Sequence, residues 1–444
     1  MTWARPNVFQ RLVLCWERLH PYNGAQLAEL HRPCPDHAAL EAAWADTLAE
    51  LGLGRVVFRN GPGGEYRFEP VVRPPVVCVD GADTGGWDAV LSDELNRRYD
   101  DADVPLRLLV GPAGQGGCRV GIAYRHWVAD SVAVRSVLGA LLSRVFPGLR
   151  VRRACRWAPP KAGYWRLFGP SDFGGGGRWS LLPALLTSAT QASRGRRVCR
   201  VEGARAALDV TFSSHSLPDT PVSRLVQASR RRGIKLNDLL LACLALAVRR
   251  HGPQTPTTRR HDLALGTIVD LRRLSAAPLE NVFGLYLGFT TTFLRPGQLR
   301  DLDTAARAVA RQAELHRRQS AAAASQLRMA FGLLTHRYLD DADVLEWYRK
   351  RVPLAAGISN VNLAGDWPAA AHPGLVRSYL RVSPTGPMMP LVISVTTLGE
   401  QLHLGLTRRR ELVTDAAAAC IVGEVLHHLR HVAADPAVPC LPLA

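Results

Sequence analysis

The stretch from Cys118 to Phe146 reads CRVGIAYRHWVADSVAVRSVLGALLSRVF and changes period half-way along. Val120, Ile122 and Tyr124 alternate with Arg119, Gly121 and Ala123, the period-two pattern of a half-buried strand. From Val134 the apolar residues take helical spacing, with Val137, Leu138, Leu141, Leu142 and Val145 on one stripe. The turn between them, Arg125-His126-Trp127-Val128-Ala129-Asp130-Ser131, carries a histidine and an aspartate four positions apart. Continued alternation sends His126 off the strand on the side of Val120, Ile122 and Tyr124. Asp130 and Ser131 fall where a helix cap is expected. A neutral imidazole beside an oriented carboxylate suits a general base, since its unperturbed pKa of ~6.5 lies close to neutral pH. The same spacing also suits a buried, hydrogen-bonded histidine followed by an aspartate that only caps a helix.

Around this stretch the composition narrows the classes. A length of 444 residues predicts two or three domains, or two lobes. Hydrophobic residues make up 47% and charged residues 21%, a globular rather than a disordered balance. The net charge of +17 comes almost entirely from arginine, the lysines being Lys161, Lys235 and Lys350. Such a field attracts polyanions: coenzyme A phosphates, acidic carrier proteins or nucleic acid. The arginines are scattered, and no basic stretch interleaves with stacking aromatics, which argues against a nucleic-acid reader. Nine cysteines without a CxxC pair read as free thiols in a reducing cytoplasm. The five-residue apolar run before Glu17 is too short for a signal peptide, and Leu239 to Val248 is half a membrane span. A soluble cytoplasmic protein is expected. His31, Cys34 and His37, and the i, i+4 pair His427 and His431, lack the companion ligands of a metal site. They read as an exposed loop and an amphipathic helix, so no metal is expected.

Taken in order, the chain opens with an expected strand within 1–30 and a loop, HPYNGAQ. A helix from about Asp36, a hairpin of Arg55–Phe58 with Tyr66–Val71 around NGPGG, and a helix over Asp88–Arg98 follow. Residues 151–200 read as a flexible connection, helical around Leu181 to Ala192, with the basic cluster of Arg194, Arg196 and Arg197 as solvated surface. Beyond it are a strand at Val210–Ser214, helices over Val222–Arg232 and Asp238–Arg250 (the latter capped by Asn237), and a strand at Leu263–Leu271. The glycine-punctuated ENVFGLYLGFTTTFL reads as a strand region. Helices at Leu302–Gln319 and Gln326–Tyr338, strands at GISNVNL, Pro390–Thr397 and Gln401–Thr407, and a helix over Thr414–Val432 complete the pattern.

RHWVADS resembles the HHxxxDG signature of the chloramphenicol-acetyltransferase-like superfamily. That group includes peptide-synthetase condensation domains, wax-ester-synthase-like and polyketide-associated acyltransferases, and plant HxxxD acyltransferases. NRRYDDADVPLR is similar to the family's lead-in to its catalytic strand. VDLRR resembles the segment whose arginine pairs with the motif aspartate. ENVFGLYLG resembles the N-x-(F)G-N-x-x-G stretch, with Leu285 where asparagine is common, and GISNV resembles the SN(V/I) strand. The likeness covers most of the chain. It implies His126 as general base, a structural pair of Asp130 with Arg272, and Ser131, Ser359 and Asn360 as oxyanion or tunnel-lining candidates. Arg125 and Trp127 flank the base; Arg125 stands where the family has its first histidine, and Ser131 where it has glycine. The DFGWG motif of plant members is missing, which points to a bacterial branch.

The resemblance further implies an α/β (α+β sandwich) fold of two chloramphenicol-acetyltransferase-like lobes with a tunnel at their interface. Residues 1–170 would form the first lobe, 171–205 a flexible basic connection and 206–444 the second. The implied function is transfer of an acyl group from a CoA or acyl-carrier-protein thioester to a hydroxyl or amine. No covalent acyl-enzyme and no permanently bound cofactor are implied; the setting is bacterial secondary or lipid metabolism, and the state a monomer. These folds also host non-catalytic members. The alternative is a condensation-like module that binds a carrier-bound intermediate or recruits a partner enzyme. A peptide-bond-forming domain is a third option, with no adenylation or carrier segment expected in this chain.

Overall fold

Helix α1 (Val8–Leu19) occupies the place where the sequence reading expected a strand. Phe9, Leu12, Val13 and Trp16 recur at helical spacing and all four are buried. Asn7 and Gln10 exchange side-chain-to-backbone hydrogen bonds of 2.9 Å each, a capping box that starts the helix. The strand comes afterwards: β1 (Asn23–Leu30) includes the NGAQ expected as loop and is buried along its whole length. The computed structural model describes residues 3–434 except 62, 82–83, 101–102, 150–153, 160–181, 198–208, 254–259, 276–277, 366 and 368–373.

The first half continues with α2 (His37–Leu51), β2 (Arg55–Arg59), β3 (Glu65–Glu69), β4 (Val76–Cys78), α3 (Thr84–Asn96), β5 (Leu106–Ala113), β6 (Gly117–Arg125) and α4 (Ser131–Val145). Helix α5 (Leu182–Arg194) lies within the connection. In the basic cluster at its end Arg194 is exposed, as expected, whereas Arg197 is not. Arg197 is buried, and its guanidinium donates to the carbonyls of Lys350 (2.9 Å), Gly195 (2.6 Å) and Ala192 (2.9 Å). The second half runs β7 (Val210–Leu217), α6 (Val222–Arg231), α7 (Leu236–His251), β8 (Leu263–Asp270), β9 (Leu287–Leu294), α8 (Leu302–Arg318), α9 (Ala321–Tyr338), α10 (Asp341–Arg351), β10 (Leu354–Asn362), β11 (Val376–Val382), β12 (Leu391–Leu398), β13 (Gln401–Arg409) and α11 (Asp415–Ala434). Helix α7 begins before the expected Asn237 cap, because Asp238 reaches back to accept from the Lys235 N–H at 3.0 Å. Helix α10 and strand β11 have no counterpart in the sequence reading.

Two mixed sheets carry the fold. The first has the order β11-β1-β6-β5-β4 and the second β7-β13-β12-β10-β8-β9. Strand β11 comes from the second half of the chain yet pairs antiparallel with β1, with Leu27 opposite Leu380. Packing follows the same division. Trp44, Leu138 and Leu142 from α2 and α4 fill one side of the first sheet with Val120, Ile122 and Tyr124. Leu239 to Val248 of α7 pack with Ile421 and Leu429 of α11 under the second sheet. Buried apolar area of this kind is the main stabilising contribution.

Candidate functional site

The motif turn leaves β6 at Arg125 and enters α4 at Ser131, and the two ends are fastened differently. Asp130 is fully buried. One carboxylate oxygen accepts from the Val132 and Ala133 N–H groups at 3.0 Å each, capping α4. The other accepts from Arg272 at 2.6 Å and from the Tyr286 N–H at 2.9 Å. Arg272 also donates to the Gly284 carbonyl at 3.1 Å and lies over the Tyr286 ring. Burial works against the Arg272 charge, but Asp130 and then Asp270 hold its pKa well above the ordinary arginine value. Residues 281–286, expected as strand, are therefore a non-strand crossing segment whose backbone serves Asp130 and Arg272. The Gly284 carbonyl receives the Asp130 N–H as well, at 3.1 Å.

His126 sits at the other end, 8% exposed. Its N–H donates to the Tyr22 carbonyl at 3.0 Å, and its ring lies 5.5 Å from both the Tyr22 and the Tyr124 rings. Nδ1 is buried, and among the described residues no other residue hydrogen-bonds to it. Burial pushes the imidazole pKa below its usual value, opposed by a contact with its own main chain and by the Asp130 charge. The neutral form, the one that can accept a proton, is thus favoured.

His126 lines a cavity of about 90 Å³ between the two sheets. Gln26 of β1, Ser131 of α4, Ser359 of β10 and Arg381 of β11 share the wall with it. Asn360 does not, because successive side chains of a strand point to opposite faces and Ser359 takes the cavity side. Trp127 is a core residue, wedged 5.3 Å from the Phe58 ring and 5.2 Å from the Tyr66 ring. Arg125 turns to Glu17 of α1 at 2.7 Å.

The sequence reading missed Tyr22, Tyr124, Gln26 and Arg381. Gln26 donates to the Ser131 carbonyl at 2.8 Å and accepts from the Tyr379 hydroxyl. Arg381 is one arginine among many in this chain, and nothing local distinguishes it. A second cavity, of about 480 Å³, adjoins the first and shares Trp16, Phe289, Leu354 and Met388 with it. Leu12, Leu185, Phe293, Leu327 and Trp347 make its walls predominantly apolar.

No protein-family model matches the chain, and no curated relative does. Solved structures match it over nearly its whole length. The condensation domain of the monacolin K polyketide synthase MokA superposes with a TM-score of 0.66 at 13% identity, covering 99% of each chain. The first condensation domain of the calcium-dependent antibiotic synthetase gives 0.66 at 17% identity, again over 99% of each. This chain has the condensation-domain fold. The starter condensation domain of the rhizomide synthetase RzmA, solved with C8-CoA and Leu-SNAC, has the same fold at a TM-score of 0.64, 14% identity and coverage of 99% and 96%. Among the described residues, no helix is long and apolar enough to cross a membrane.

Proposed function

We propose that this condensation-fold protein is an acyltransferase, moving an acyl group from a CoA or carrier-protein thioester to a hydroxyl or amine. The observation that carries the reading is His126: buried, its pKa lowered by that burial, and lining a cavity between the sheets together with Ser131 and Ser359. His126 takes the acceptor's proton as the acceptor oxygen or nitrogen attacks the thioester carbon. The tetrahedral oxyanion collapses, the carbon–sulfur bond breaks, and the departing sulfur receives the proton from His126. No acyl-enzyme forms in this sequence. The Asp130–Arg272 pair holds the motif turn and moves no proton. The C8-CoA named with the rhizomide domain supports an acyl-CoA donor. The adjoining 480 Å³ apolar cavity suits a substrate with an apolar chain. The two sheets, with β11 of the second half of the chain completing the first, would be the lobes of a cytoplasmic monomer in bacterial secondary or lipid metabolism.

The test is release of free thiol from a panel of acyl-CoA and acyl-carrier thioesters with pooled alcohols and amines. Acceptor-dependent release by the wild type, lost in His126→Ala, is expected. Equal release by both proteins would overturn the role of His126.

One observation favours a second reading, a module that binds a carrier-bound intermediate or recruits an enzyme. The cavity beside His126 is about 90 Å³, below the ~300–1,000 Å³ usual for small-molecule sites. The X-domain from teicoplanin biosynthesis, solved in complex with OxyB, shares the fold at a TM-score of 0.58 and 16% identity, covering 100% of this chain and 97% of that one. Thioester binding without turnover, unchanged in His126→Ala, would select this reading.

A further inference from the structure

Arg381 is 1% exposed and lines the His126 cavity from β11. Among the described residues no carboxylate forms an ion pair with it; its charged and ionisable neighbours are Arg135, Tyr379 and Tyr124. Its partners are neutral oxygens. Nε donates to Thr396 Oγ1 at 3.1 Å, and Nη2 donates to the carbonyls of Val395, at 2.7 Å, and Ser359. Nη1 donates to Ser359 Oγ at 3.0 Å and, at a longer 3.5 Å, to Ser131 Oγ. A guanidinium has donors only, so a hydroxyl that accepts from it must turn its own proton elsewhere. Both hydroxyls belong to residues of the cavity wall, so their protons are free to face the space beside His126.

We propose that Arg381 is a positioning residue for the oxyanion of acyl transfer, orienting and polarising the Ser359 hydroxyl and, more weakly, that of Ser131. The inference rests on the acyltransferase reading above. A guanidinium already neutralised by a carboxylate would have little field left for a developing negative charge. This one keeps its charge for the tetrahedral intermediate, the arrangement in which preorganised donors are most effective. The competing role is a purely structural staple, since Arg381 joins β11 of the first sheet to β10 and β12 of the second.

Steady-state kinetics separate the two roles when measured with thermal midpoints on Ser359→Ala, Arg381→Lys, Arg381→Met and Ser359→Ala/Arg381→Met. Loss of one oxyanion donor lowers kcat by ~10²–10³-fold. That loss, with KM changed less than about twofold, is expected for Ser359→Ala and Arg381→Met. The double variant should be no slower than the slower single, because residues acting through one another are not additive. Arg381→Lys, which keeps the charge but not the fork, should recover part of the rate. Multiplicative losses in the double variant would overturn the inference, as would a lower thermal midpoint with unchanged kcat. Should Arg381→Met fail to fold, full kcat in Ser359→Ala overturns it alone. Full activity of the Arg381 and Ser359 variants beside an inactive His126→Ala defeats this inference and leaves the acyltransferase reading standing. An active His126→Ala defeats that reading instead.

Discussion

Two buried arginines join the halves of this molecule, and they are provided for in opposite ways. Arg272 meets Asp130 at 2.6 Å and Asp270 at 3.4 Å, and its pKa is held up. Arg381 meets hydroxyls and carbonyls, and burial, with Arg135 adding to it, pushes its pKa down to about 9. The first arrangement is closed: carboxylates face the guanidinium, and both oxygens of Asp130 accept hydrogen bonds. The second is open, with charge in reserve beside a histidine. Buried charge that is cancelled holds structure, whereas buried charge that is not cancelled is available to chemistry.

The largest expected effect comes from opening the closed site. Arg272→Met would leave Asp130 fully buried with no cation, at ~3–5 kcal/mol, and Asp130→Ala would leave Arg272 with only the longer Asp270 contact while also removing the α4 cap. Soluble yield and urea midpoints check this. Arg381→Met should cost less stability than Arg272→Met, because it leaves only neutral acceptors behind; an equal or greater cost would break the comparison. The converse change sharpens it. Thr396→Asp places a carboxylate where Thr396 Oγ1 now lies 3.1 Å from Arg381. By making Arg381 resemble Arg272, it should lower kcat at least tenfold, read against an unchanged thermal midpoint.

Smaller effects follow from the walls. A Cβ on Gly24 would lie 2.9 Å from ring carbon and hydroxyl of Tyr124, the residue packed on His126. Gly24→Ala should cost ~1–3 kcal/mol by overpacking and reduce turnover through displacement of the His126 ring. The pH dependence is the mildest. With its pKa lowered, His126 stays neutral further into acid, so the acid limb of kcat/KM should have its midpoint below the ~6.5 of a free imidazole. Stability should move in the same window. Buried His336 and His403 are pushed down to about 4, so the unfolded chain binds protons first. Their contribution is complete above pH ~6.5 and is lost as pH falls toward 4, which denaturant midpoints against pH would register.

Legibility differed from one element to another for physical reasons. The β6–α4 stretch was readable because one strand and one helix each carry their own period, and Asp130 lies at the junction where a cap is required. Helix α1 was not, although Phe9, Leu12, Val13 and Trp16 have its spacing, because the apolar run LVLCW also suits a strand. Strand β11 escaped because VRSYLRV gains its meaning only from the open edge of β1 beside it. Ser359 lines the cavity and Asn360, its neighbour and an equal candidate from sequence, does not, since a strand's two faces cannot be told apart before the sheet is built.

By itself, then, the sequence determined the local alternations, the turn that presents His126 and Asp130, and the apolar stripes that become the two cores, because those depend on residues near one another in the chain. Only the tertiary structure decided that β11 crosses to the first sheet, that residues 281–286 close over Asp130, and that Arg381 arrives beside Ser359 without a carboxylate. Each of these is a contact between distant segments, and its energetics depend on burial and charge compensation that exist only once both sheets are in place.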